Sequence, residues 1–200
     1  MVHVETLVDV GGVGGSAEWA RSSRDIRQAI SSIHWPPGSG AFTIRPESGK
    51  KTGQGNGVKP IKQGFVSWLR DAGWEIEAEL DLATRVKPGP LDAVRRLGPM
   101  AIAVEWETGN ISSSHRAMNK MALGVTKGKI AAGVLVLPSR ALYQFLTDRI
   151  GNWDELEPYF DLWRGIRCKR GLLQVIAVEH DALSASAPRI PKGTDGRAAI

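Results

Sequence analysis

The run Lys129-Ile130-Ala131-Ala132-Gly133-Val134-Leu135-Val136-Leu137 constrains the fold of this 200-residue chain more than any other stretch. A strand sends successive side chains to opposite faces, so a run that is apolar almost throughout needs cover on both sides. It is far too short to cross a bilayer, which takes roughly 20 residues, so the cover must be protein. Helical periodicity elsewhere supplies it. Ser16–His34 reads as a helix with Ser16 as cap, Glu18 in the first turn, Trp19, Ile26, Ile30 and Ile33 at helical spacing, and a stop at Trp35-Pro36-Pro37-Gly38. A second helix is predicted from Asn56, as cap, to Ala72, with Val58, Ile61, Phe65, Trp68 and Leu69 as its stripe and Gly73 as its end. A third covers Ser112–Thr126, Ser139–Arg149 is again helical, and Trp153–Tyr159 is a short helix or turn. Strand-like runs occupy Trp74–Leu82, Leu91–Leu97, Met100–Glu107 and Leu172–Val178, and Gly98-Pro99 predicts an antiparallel hairpin between the middle two. The order implies an α/β fold, a central mixed sheet flanked by helices.

Gly38–Gly57, rich in Gly, Lys and Ser, reads as a mobile basic loop, and 184–200, rich in Ala, Ser, Pro and Gly, as a disordered tail following one domain at 1–183. A single cysteine, Cys168, excludes a disulfide framework and a cysteine zinc site. The opening MVHVETLVDV has early acids and no basic region, so no secretory signal is expected; the reading is a soluble, cytoplasmic protein with no membrane association.

Charge narrows the function. The net charge is +5, which suits a polyanionic partner. Arg45–Arg70 holds six basic residues and one acid, whereas Glu75–Glu107 holds seven acids and four bases. A basic protein that gathers carboxylates in one stretch invites a cation there. Glu105 and Glu107 share one face of their strand with Ala103, and Ile102, Val104 and Trp106 share the other. Two carboxylates at the end of an apolar strand repel each other and resist joint ionisation, and a divalent cation removes that penalty. The hairpin brings Asp92 to the same end as a further oxygen ligand, in a donor set that suits Mg²⁺. Alone, D…ExE also describes a solvated strand edge. Its neighbours, a basic loop and helix before it and Gly109-Asn110 with a Ser/His/Arg-bearing helix after it, are what a phosphodiester hydrolase needs.

Asp92 followed by Glu105-Trp106-Glu107 resembles the PD-(D/E)XK nuclease core, in the variant with an acid at the last position. More narrowly, Asn56-Gly57-Val58, the Asp71-Ala72-Gly73-Trp74 helix end, Leu91-Asp92-Ala93-Val94 and Ala103-Val104-Glu105-Trp106-Glu107-Thr108-Gly109-Asn110 resemble the BamHI/BglII/BstYI group of type II restriction endonucleases, over roughly Gly49 to Leu137. The resemblance implies that Asp92 and Glu105 ligate Mg²⁺ with the Trp106 carbonyl as a third donor, and that Glu107 acts as general base or orients the attacking water. An upstream glutamate joins the metal in some members; Glu75 and Glu77 are the candidates. It further implies site-specific cleavage of double-stranded DNA at a short palindrome by a homodimer, and, since the group's sites often contain a central GATC, a related target. DNA contacts are assigned to Asn110, Ser112 and Arg116, with Lys50 and Lys51 as backbone contacts; helix capping by the serines and a solvated loop for the lysines are the plain alternatives. Base-reading residues outside the core are expected within Pro138–Gly171.

Gly11–Gly15 and Ser48-Gly49-Lys50-Lys51-Thr52 do not match G-x4-G-K-[ST], so no nucleotide cofactor is expected. The seven tryptophans read as core anchors, and His115 as a surface or DNA-facing residue. Two other functions share these features: a repair or structure-specific nuclease with the same core, and a DNA-binding protein without catalysis.

Overall fold

The structure, a computed structural model, describes residues 1–51, 53–85, 87–147 and 150–192. In chain order the elements are β1 (His3–Val10), α1 (Ala17–Ser31), β2 (Thr43–Ile44), α2 (Lys59–Asp71), β3 (Glu75–Ala78), β4 (Leu91–Leu97), β5 (Met100–Trp106), α3 (Ile111–Thr126), β6 (Ile130–Pro138), α4 (Arg140–Tyr143), α5 (Trp153–Leu156), a 3-10 turn at Glu157–Tyr159, α6 (Phe160–Arg164), β7 (Gly171–Val178) and β8 (Ala182–Leu183). Six strands form one sheet in the order β1-β7-β6-β5-β4-β3, and β2 pairs with β8 beside it. The β5–β6 and β6–β7 pairs are parallel and the other three pairs are antiparallel. The mixed α/β architecture expected from the sequence is therefore the observed one.

Both faces of the sheet are covered. Ile102, Val104 and Trp106 of β5 pack with Ile26 and Ile30 of α1 and Ile61, Phe65 and Leu69 of α2. Ala101 and Ala103, with Leu135 and Leu137 of β6, pack with Met118, Met121 and Val125 of α3 and with Phe160 and Trp163 of α6. Every residue of β6 is buried, as its unbroken apolar run requires. Gly133 lets α3 approach: a Cβ there would lie 2.8 Å from the Met121 Cβ and 3.1 Å from Leu173 Cδ2. Gly133→Val should therefore overpack this layer and cost about 1–3 kcal/mol, read as a lower denaturant midpoint with an unchanged slope.

The hairpin is as expected, β4 joined to β5 through Gly98-Pro99, with Leu97 opposite Met100 and Gly98 at φ +62. Several boundaries differ. The second helix starts at Lys59, and Asn56 does not cap it. Buried Asn56 instead donates its side-chain amide to Arg45 O and Phe145 O and accepts from the Ile190 N–H. That role corrects the expected tail, for residues 184–192 are held in place. Ala187 and Ile190 are buried, Arg189 pairs with Glu47 at 2.5 Å, and Trp35 Nε1 donates to Pro188 O. The rest of the expected tail, 193–200, lies outside the described residues. The described residues of the loop at 38–57 are likewise tied down, with Phe42 and Ile44 buried and Gly49 N–H bonded to Gln144 O. The helix expected at Ser139–Arg149 is a single turn, α4; of its remainder, 148 and 149 are outside the described residues. The first strand, β1, was not anticipated. It closes the far edge of the sheet against β7. No helix among the described residues is long and apolar enough to cross a membrane.

Candidate active site

The hairpin register carries the acids together. Ala93 pairs with Val104, and one step further out Asp92 stands across from Glu105. Asp92 N–H donates to Glu105 Oε2 at 3.3 Å, and Asp92 Oδ2 accepts the Trp106 N–H at 2.8 Å. Both residues are buried. Burial first, and the Asp92 charge second, push the Glu105 carboxyl well above the ordinary carboxylate range, against the opposing pull of Lys120. Glu107 lies two residues along the same face. Its carboxyl is also raised, mainly by burial, while the Gly109 N–H at 2.6 Å and the Lys62 charge pull it down.

Two lysines complete the site, and sequence reasoning assigned neither to it. Lys62 of α2 contacts Asp92 Oδ1 at 2.7 Å. Lys120 of α3 pairs with Glu105 Oε1 and donates to Pro90 O at 2.5 Å. A local signal was available. Lys62 falls four residues after Val58 and three before Phe65, inside the apolar stripe of α2; Lys120 falls three after Ala117 and four before Gly124, on the buried row of α3. A lysine at a core-facing helical position needs an anionic partner, since burying an unpaired ammonium is costly.

The other expected residues are placed as follows. Trp106 turns its ring to the core, 5.0 Å from the Phe65 ring, and its N–H is the group that touches Asp92. Glu75 is engaged by Arg96 at 2.8 Å. Glu77 stands opposite Asp92, because Ile76 pairs with Ala93 and Ala78 with Leu91; it is exposed and at φ +52, a left-handed conformation that costs a non-glycine residue about 1–2 kcal/mol. Asn110 caps α3, accepting the Ser113 N–H at 3.2 Å, and is exposed along with Ser112 and Arg116. The start of α3 thus presents polar side chains two residues beyond the Glu107–Gly109 contact. Lys50 and Lys51 are exposed on the tied-down loop, and no contact joins them to the carboxylates among the described residues. His115, half-buried, packs edge-on against Tyr159 at 4.5 Å and beside Trp163.

The donor set is one of hard oxygens, three carboxyl groups met by two ammonium groups. Among the described residues no three His, Cys, Asp or Glu side chains close into a metal cage. Two meeting carboxylates, with Glu107 beside them, fit a small divalent cation that keeps water and phosphate among its ligands.

The family model described as restriction endonuclease BamHI matches residues 1–197. The chain belongs to the BamHI family of restriction endonucleases. The type II restriction enzyme OkrAI of Oceanobacter kriegii is 47% identical over 196 residues, 98% of this chain and 97% of that protein. The type II restriction enzyme BamHI of Bacillus amyloliquefaciens is 37% identical over 179 residues, 86% and 80% of the two chains. A crystal structure of restriction endonuclease BglII with a DNA 16-mer superposes with a TM-score of 0.63 at 7% identity, over 90% of this chain and 79% of that one, a likeness of fold. This member of the BamHI family is therefore a nuclease, a type II restriction enzyme that cleaves DNA, as the D…ExE-x-GN resemblance implied.

Proposed function

We propose that the chain is a Mg²⁺-dependent, site-specific endonuclease that hydrolyses both strands of duplex DNA at a short palindrome, acting as a homodimer. The observation that carries the reading is the meeting of buried Asp92 and Glu105 across the β4–β5 hairpin, next to the polar start of α3. Asp92 and Glu105 would hold the cation, with the Trp106 carbonyl as a third donor and Glu77, in the row of Asp92, as the better placed of the two upstream glutamates. A bound divalent cation supplies charge neutralisation at the scissile phosphate and a lowered pKa for its water. The protein's own groups do the rest. Glu107, held by the Gly109 N–H, takes the proton of the attacking water. Asn110, Ser112 and Arg116 contact phosphates or base edges, and Lys50 and Lys51 the DNA backbone. A palindrome matches a two-fold protein, which is the physical reason for the dimer. A central GATC is the expectation drawn from the family resemblance.

The test is incubation of the purified protein with phage DNA and Mg²⁺, followed by sequencing of the fragment ends. Discrete fragments with one shared, self-complementary end sequence are expected, and none in EDTA. Nicking confined to branched or mismatched DNA would instead favour a structure-specific nuclease, and binding without any cutting a non-catalytic DNA-binding protein.

A further inference from the structure

We infer that Lys62 is a displaceable counter-ion of Asp92, which a divalent cation has to evict, so that the native lysine weakens cation binding to the DNA-free protein. The inference rests on the cation-site reading above. The two oxygens of Asp92 are used differently. Oδ2 accepts a backbone N–H from Trp106, a bond built into the hairpin, whereas Oδ1 accepts the Lys62 ammonium at 2.7 Å. A cation approaching Asp92 through Oδ1 therefore meets another cation already there.

The two lysines of the site differ in how easily they leave. The Lys120 side chain is 9% exposed and spans Glu105 Oε1 and Pro90 O, so it is gripped at two points within the fold. The Lys62 side chain is 27% exposed, and its Nζ has Asp92 as its hydrogen-bond acceptor among the described residues. Lysine carries a compact charge on a flexible four-carbon stem, so the partly exposed Lys62 ammonium can swing into solvent once an incoming dication takes over the neutralisation of buried Asp92. Charge counting agrees in sign. Asp92, Glu105 and Glu107 face Lys62 and Lys120, so deleting the Lys62 charge both frees Oδ1 and leaves the site more negative. Both effects draw a dication in. Any ligand that pulls Lys62 away also raises cation affinity, and by linkage the cation raises that ligand's affinity in turn.

The experiment is a Mn²⁺ titration of the full, DNA-free chain, with unbound Mn²⁺ read by electron paramagnetic resonance. Wild type is compared with Lys62→Met, Lys62→Arg and Glu105→Gln, after circular dichroism has established that all are folded. Lys62→Met keeps the apolar stem and should bind Mn²⁺ about tenfold more tightly than wild type. Lys62→Arg retains a competing cation and should stay within about twofold of wild type. Equal or weaker binding by Lys62→Met overturns the inference, as does tightening by Lys62→Arg to the same degree. Those results leave the site itself standing, provided Glu105→Gln binds more weakly than wild type. If Glu105→Gln binds Mn²⁺ as well as wild type does, or if no chain in the set binds it, the cation-site reading fails and the inference with it.

Discussion

Glu105→Gln and Asp92→Asn are each expected to lower DNA cleavage by roughly 10³-fold while leaving DNA binding within a few-fold of wild type. The size follows from removing a charge that helps hold the catalytic cation, a contribution of several kcal/mol to the transition state. The amide substitutions are the informative ones. Lys120 is buried against Glu105, and truncation to alanine would leave its ammonium with Pro90 O as a neutral partner, a destabilising change in its own right. Glutamine still offers Lys120 an oxygen, and asparagine still offers its single oxygen to the Trp106 N–H, while the partly exposed Lys62 ammonium can turn to solvent. Loss of cleavage in these variants therefore reports chemistry rather than collapse. DNA affinity measured by gel shift in Ca²⁺, together with single-turnover cleavage in Mg²⁺, separates the two. Near-normal cutting by either amide variant would remove that residue from the site.

The second large effect concerns stability. Phe65→Ala is expected to destabilise the protein by about 3–5 kcal/mol, the usual cost of emptying a fully buried aromatic position. For a chain of this size that is a fall in Tm of roughly 6–20 °C. Phe65 has no exposed surface and packs 5.0 Å from the Trp106 ring, so it seats α2 on the strand that carries the acids. Trp106 stands between Glu105 and Glu107, with its N–H on Asp92, and Lys62 comes from the same helix as Phe65. The cavity should therefore also disturb the site, and cleavage should fall at temperatures where the variant is still folded. Calorimetry against wild type checks the first claim. A Tm within about 2 °C of wild type would mean that α2 does not depend on this contact.

Much of this arrangement was legible because it is local. Gly98-Pro99 sets a two-residue turn, and counting outward from it pairs Leu97 with Met100 and brings Asp92 opposite Glu105. Strand alternation then sends Glu105 and Glu107 to one face and Trp106 to the core. The limits of β4 follow from the same pattern, and those of β5 to within one residue, as does the burial of β6 on both faces from its uninterrupted apolar run. Lys62 and Lys120 differ. Each carried a hint in its position on an apolar helical row, but the acid it meets lies 30 residues away in one case and 15 in the other. Nothing local says which strand end a helix will cross.

What the linear chain determines by itself is short-range: the turn, the alternation, the apolar stripes, and hence the sheet-and-helix class and the pairing of Asp92 with Glu105. What only the folded molecule decides is which distant groups answer those near ones. Asn56, a plausible helix cap by position, bonds instead to Arg45, Phe145 and Ile190, and the Pro- and Ser-rich stretch at 184–192 becomes structure because that amide holds it. The physical reason is common to both. A polar group's best partner is set by what burial brings within about 3 Å of it, and burial is a property of the whole packed chain.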